Sequence, residues 1–149
     1  MFVCDSREKI RRLMIAVNQI DELYYKILRT LGIKGNAFVL FYAIADGKPY
    51  SQKRICDEWA VPRTTINTIV QEYIQKGLIR LVSSGHKEKE IKLTDSGRYF
   101  VNDILAPIFL AEEKAIKPFL ETDLVEQTEK FTEILEKEFS QIKNGESES

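Results

Sequence analysis

The chain has 149 residues, with 22 basic groups, 23 acidic groups and a single histidine. This length suits one compact domain with a real core. No run of about 18 apolar residues occurs, which excludes a membrane-spanning helix. The segment before Arg12 lacks the apolar stretch and small-residue cleavage site of a secretory leader, so a cytoplasmic location is expected. Two cysteines, Cys4 and Cys56, cannot build a disulfide framework and form no Cys-x-x-Cys pair. With His86 as the one histidine, neither a metal site nor a cofactor is expected. Cys56 reads as a small buried apolar residue and Cys4 as an exposed member of an N-terminal tail.

Charge is distributed unevenly. The balance is +2 over residues 1–47, +4 over 48–92 and −7 over 93–149. A basic middle and an acidic end fit a polyanion-facing centre with a face that stays away from it.

In chain order, Ile10, Leu13, Met14, Val17, Ile20, Tyr24, Ile27, Leu28 and Leu31 recur at steps of three and four. This predicts a long amphipathic helix over 7–31, capped by Ser6 and stopped by Gly32. So long a stripe needs a long partner surface, and a second copy of the chain is the natural candidate. Asn36 is expected to cap a second helix, Ala37 to Ala45, apolar nearly all round and therefore buried. After the Asp46-Gly47-Lys48-Pro49 turn, Ser51 caps a short helix through Trp59, with Ile55, Cys56 and Trp59 inward. Ala60-Val61-Pro62 is a tight break. A further helix begins near Pro62, runs to Lys76 and ends at Gly77, with Ile66, Ile69, Val70, Tyr73 and Ile74 as its apolar face.

The period then changes. Residues 78–82 and 90–93 read as strands of a hairpin, with a polar tip from Ser83 to Lys89. Thr94 caps the next helix, Asp95 to about Ala115, in which Pro107 imposes a kink or break. Pro118 precedes a last helix beginning near Thr122 or Asp123, with Leu124, Thr128, Phe131, Leu135 and Phe139 along one face. Residues 144–149 are expected to be a disordered tail.

Two short helices joined by a tight turn form a helix-turn-helix, whose second helix leads with its N-terminal residues into the major groove. Those residues are Arg63, Thr64, Thr65, Asn67 and Thr68, with Gln71 a turn later. Arginine can donate two bonds to guanine, asparagine and glutamine can pair with adenine, and threonine offers a methyl to thymine or a hydroxyl to phosphate. Lys87 and Lys89 on the hairpin tip would neutralise phosphates, against which Glu88 counts, and Lys53 and Arg54 suit backbone contacts. His86 reads as a solvated loop residue.

The run Val61-Pro62-Arg63-Thr64-Thr65-Ile66-Asn67, then Gln75-Lys76-Gly77-Leu78-Ile79 and Lys92-Leu93-Thr94-Asp95-Ser96-Gly97, resembles the MarR (multiple-antibiotic-resistance regulator) family. The resemblance extends over almost the full length. It implies a mostly α (α+β) fold: a winged helix-turn-helix with a two-stranded wing over 34–97, flanked by dimerisation helices over 1–33 and 98–143, in a single domain of 1–149. It implies a homodimeric, sequence-specific regulator of transcription on pseudo-palindromic double-stranded DNA, with half-sites about one helical turn apart and repression as the commoner role. It further implies a small aromatic or anionic effector, for which Tyr24, Tyr25, Phe38, Phe41, Tyr42 and Trp59 are candidate lining; core packing accounts for the same rings and is the preferred reading.

The chain departs from the family in its wing, where His86-Lys87-Glu88-Lys89 replaces the usual Asp-x-Arg. A lysine lacks the planar fork of arginine. Peroxide sensing through a first-helix cysteine is not expected, because Ile10 occupies that position. No Gly-x-Ser-x-Gly, P-loop or His-Glu-x-x-His is present, and Glu112-Glu113 splay around a helix, so no enzyme is expected. The rival readings are a winged-helix protein-interaction module that has lost DNA binding, and an enzyme subunit or small-molecule carrier on a helical dimer.

Overall fold

A computed structural model describes residues 2–85 and 87–145, with side chains from Asp5 onward. The Cys4 side chain, His86 and residues 146–149 of the expected tail lie outside the described residues. The chain divides into two compact units, residues 1–106 and 107–149.

In the first unit, α1 (Phe2–Leu31) begins ahead of the expected cap: Ser6 and the Cys4 backbone lie inside the helix, with Asp5 in its first turn. Its C-terminus closes as a Schellman turn. Gly32, at φ +71°, bonds from its amide to the Arg29 carbonyl, and the Ile33 amide bonds to the Leu28 carbonyl. Leu28 is buried there, but the rest of the stripe is not: Ile10, Leu13, Met14, Val17, Ile20 and Ile27 are all exposed.

Helix α2 (Gly35–Ile44) is the buried centre, with Leu40 and Phe41 fully enclosed. Its N-cap is Lys34 rather than Asn36, and no side chain caps it. Helix α3 (Gln52–Trp59) opens as expected, with Ser51 Oγ accepting from the Arg54 amide at 3.1 Å. Ile55 is its one buried residue; Cys56 is half-buried and Trp59 is exposed, so the expected inward face is narrower than three residues. The chain turns at Ala60 in the left-handed region (φ 52°), and α4 (Arg63–Gln75) starts one residue after Pro62, which serves as N-cap. Ile66, Ile69, Val70 and Tyr73 pin α4 to the core, and Phe41 meets Tyr73 edge-on with ring centres 4.8 Å apart.

Strands β1 (Ile79–Val82) and β2 (Glu90–Leu93) pair antiparallel, Ile79 opposite Leu93 and Arg80 opposite Lys92. Ile79 and Ile91 are buried on the inner face, and the Ile91 amide also bonds the Tyr50 carbonyl at 2.8 Å. Thr94 then caps α5 (Asp95–Ile104), its Oγ1 accepting from the Gly97 amide at 3.0 Å. The helical pattern breaks at Leu105, two residues before Pro107, whose ring lacks an N–H and crowds the preceding turn.

Helix α6 (Ala106–Ile116) follows, and the second unit goes on through one 3₁₀ turn (Lys117–Phe119) and α7 (Leu124–Gly145). Helix α7 reaches two residues beyond the expected boundary at 143. It has no buried residue: Leu124, Ile134, Phe139 and Ile142 are exposed, and Phe131 and Leu135 are half-buried.

The end of α4 and the start of α5 lock together. Gly77 (φ +73°) and Leu78 close α4 as a second Schellman turn, with bonds to the Ile74 and Tyr73 carbonyls. Thr94 returns both favours: its amide donates to the Leu78 carbonyl at 3.1 Å and its hydroxyl to the Gly77 carbonyl at 2.6 Å. A Cβ on Gly97 would drive into the Leu78 carbonyl oxygen, well inside contact distance. Gly97→Ala therefore must part the two elements. It should destabilise the protein by about 1–3 kcal/mol or more in chemical denaturation, whereas Ser96→Ala, one residue earlier, should change stability by less than about 0.5 kcal/mol.

Candidate nucleic-acid interface

Helix α4 has two unlike faces. Its apolar face is buried at Ile66, Ile69, Val70 and Tyr73 and half-buried at Ile74, while Arg63, Thr64, Asn67, Thr68 and Gln71 are exposed and Thr65 is half-buried. The residues expected to read bases thus share one solvent-facing edge. The Thr68 hydroxyl donates to the Thr64 carbonyl at 3.0 Å, which turns its donor back to the helix.

Two neighbours border this edge. On one side, Lys34 and Asn36 at the start of α2 and Thr64, Thr65 and Thr68 of α4 line a cleft of about 350 Å³. Sequence reasoning took Asn36 as a cap and passed over Lys34. The sequence carried no signal for it, because Asn36, the better capping type, draws the expected helix start past Lys34. On the other side, the wing tip returns to α4: Arg63 Nη2 lies 3.5 Å from Glu88 Oε1. Lys87 and Lys89 are exposed on either side of Glu88.

Lys53 and Arg54 are exposed on α3, and both are engaged. Lys53 pairs with Asp57 at 3.2 Å. Arg54 donates from Nε to Glu58 at 2.7 Å and from Nη1 to the Pro49 carbonyl at 2.9 Å, with its guanidinium 4.2 Å from the Tyr50 ring centre. The Tyr50 hydroxyl also donates to Glu58, at 2.8 Å. Arg54 is therefore a brace between α3 and the preceding turn. Bonds from Arg54 and then Tyr50, aided by the charges of Arg54 and Lys48, hold the Glu58 carboxyl below the usual carboxylate range.

Behind the wing lies a second cleft, of about 270 Å³, rimmed by Lys48, Arg80, Lys92 and Arg98 over Ile44 and Ile91. Two of its cations are already paired, Lys92 with Glu90 at 3.1 Å and Arg98 with Asp95.

The six aromatic side chains named as effector lining separate into three groups. Tyr24, Phe38, Tyr42 and Trp59 form a continuous run, with successive ring centres 5.8, 5.2 and 5.4 Å apart. Phe41 is fully buried and packs on Tyr73 and Phe100 instead. Tyr25 is exposed. Among the described residues no group of three metal-ligating side chains forms, and no single helix is long and apolar enough to cross a membrane.

A short helix, a tight turn, a helix with a polar outer edge and a β-hairpin beside it define a winged helix-turn-helix. The comparisons with known proteins narrow the class. Residues 31–90 match the model of the MarR family. The chain has the MarR winged-helix fold: it is similar to the MarR family regulator NMB1585 from Neisseria meningitidis, at 20% identity over 89% of this chain and 97% of that one, with a TM-score of 0.78. It is similar also to the MarR family regulator SPO1453 from Silicibacter pomeroyi, at 16% identity over 83% of this chain and 91% of that one, TM-score 0.65. A third similar structure is NadR in complex with 4-hydroxyphenylacetate, at 14% identity over 82% of this chain and 88% of that one, TM-score 0.65. No curated protein matches the sequence.

The Glu58 brace makes a pH prediction. A carboxyl held low in the fold contributes stability above its ordinary range and loses that contribution as pH falls through the lowered value. Glu58→Gln should therefore lower the melting temperature at neutral pH, with the gap to wild type closing in acid; a gap independent of pH would contradict the brace.

Proposed function

We propose that the chain is a sequence-specific double-stranded DNA-binding regulator of transcription that acts as a cytoplasmic homodimer, with repression as its role. The carrying observation is the solvent-facing edge of α4, which holds Arg63, Asn67 and Gln71 between the Lys34 cleft and the wing. These types suit base edges, and the flanking Lys34, Lys87 and Lys89 suit phosphates. Lys53 contributes a backbone contact on this reading. Arg54 contributes through its outer edge while its brace holds.

The uncovered apolar faces of α1 and α7 support self-association. A monomer rarely exposes so long a stripe, and a two-fold partner would cover it with an identical one. Twin recognition helices then call for a pseudo-palindromic operator. The aromatic run Tyr24–Phe38–Tyr42–Trp59 is the proposed place for a small aromatic or anionic effector; NadR, solved with 4-hydroxyphenylacetate, supports that ligand class.

A second reading, a protein-interaction module without DNA binding, draws on the Arg63–Glu88 pair, which partly neutralises the leading recognition residue. Salt separates the two. On the DNA reading, log affinity for duplex falls linearly with log salt, with a slope of about −0.9 per phosphate neutralised. Arg63→Ala and Asn67→Ala should each cost about 1–3 kcal/mol on the preferred site and relax preference at one base pair. A flat salt response, or unchanged preference in both variants, would favour the interaction module.

The dimer has its own check. Ile20→Glu places a charge in the α1 stripe and should weaken self-association by about tenfold or more in sedimentation equilibrium. A wild-type chain that sediments as a monomer at micromolar concentration would refute the two-fold arrangement.

A further inference from the structure

Glu88 is at odds with a wing tip meant for DNA: a carboxylate set between two lysines, on a surface that would meet phosphates. Its position in the structure accounts for it. Among the described residues the other ion pairs of the module, such as Lys53–Asp57, Arg54–Glu58, Lys76–Glu72 and Lys92–Glu90, join residues two to four apart in sequence. Arg63–Glu88 joins two elements, the first turn of α4 and the tip of the wing. The arginine remains 71% exposed in the pair and the glutamate 39%. The guanidinium thus keeps most of its surface for another partner while Glu88 is half-sheltered beside it.

We propose that Glu88 is a positioning residue that sets DNA specificity through Arg63. This inference rests on the DNA-binding reading above. The guanidinium is a rigid plane with five N–H donors, more than one carboxylate can use. Attraction of Nη2 to Glu88 would bias the plane toward one orientation, and the 71% exposure of the side chain leaves its other donors open to a partner. A guanine edge, offering O6 and N7 side by side, fits such a fork. A phosphate gains less, because it must approach a cation whose charge is already countered and must lie near the carboxylate itself. Glu88 thereby favours the base-specific contact and penalises the charge-only contact, and both effects raise the ratio between right and wrong sequences. The flanking Lys87 and Lys89 retain the general attraction to the backbone.

The test uses the full chain with Glu88→Gln, Glu88→Ala, Arg63→Ala and the double variant Arg63→Ala/Glu88→Ala. Each is titrated with the preferred duplex, its single-base-pair variants and a scrambled duplex at several salt concentrations, after melting curves show that the proteins are equally folded. The Glu88 variants should bind scrambled duplex about three- to tenfold more tightly, with a steeper salt dependence. They should also lose about five- to tenfold of the preference at one base pair, the same pair whose preference disappears in Arg63→Ala. In the double variant the Glu88 substitution should change base preference no further, which a general charge effect would not produce. Glu88→Ala with full preference at that base pair, or with unchanged affinity for scrambled duplex, would overturn the proposal. A wild-type protein that fails to distinguish the preferred from the scrambled duplex would instead overturn the DNA-binding reading, and this proposal with it.

Discussion

The junction of the α4 C-terminus with the α5 N-terminus sets the rest of the interface. Two carbonyls at the end of α4, those of Gly77 and Leu78, are taken by the hydroxyl and amide of Thr94. Gly97 lets α5 approach the Leu78 carbonyl at a distance that no side chain would allow. The hairpin leaves from Leu78 and returns to Leu93, so both of its ends are held by this clamp. A wing anchored at its root has its tip delivered to one place, and that place is beside Arg63. The Lys-Gly-Leu-Ile and Leu-Thr-x-x-Gly motifs are thus the two halves of one hydrogen-bonded joint, which is a physical reason for them to occur together.

The apolar residues divide between two tasks. Those of α2 and α4 are enclosed within the first unit: Leu40, Phe41, Ile66 and Val70 are fully buried. Those of α1 and α7 have the same periodicity and stay largely in solvent: Leu28 is buried and Tyr24, Leu31, Phe131 and Leu135 are half-buried, while the other described ones are exposed. Periodicity reports that a face is to be covered, without specifying the cover. The difference between the two sets is the strongest physical argument for a second copy of the chain, because two-fold symmetry supplies a matching stripe at no cost in new sequence.

Many features set by neighbouring residues were legible in the sequence, although the expected caps Ser6 and Asn36 fall inside α1 and α2. Ser51 and Thr94 cap helices, Gly32 and Gly77 end them in left-handed turns, and the pattern breaks just before Pro107, each from chemistry within a few residues. The two strands and the polar tip between them were legible too, whereas the register, which sets Ile79 opposite Leu93, came from the fold. Features that depend on tertiary proximity were not legible. Arg54 was expected only as a contact to the DNA backbone, but Glu58, Pro49 and Tyr50 hold it. Trp59 sits one helical turn from Ile55 yet stays 38% exposed, at the rim of the core with its ring against Tyr42. Lys34 came to the interface because α2 begins earlier than its apolar run, without a side-chain cap. The meeting of Arg63 with Glu88 needed the clamp, the hairpin and the turn at Ala60 together.

The central claim is that α4 presents a base-reading edge and that the chain presents it twice, about one helical turn of DNA apart. Selection of bound sequences from a random duplex pool examines both halves of that claim at once. The account predicts enrichment of a pseudo-palindrome whose half-sites are centred about 10 base pairs apart. A pool that enriches nothing, or a single unrepeated half-site, would contradict it.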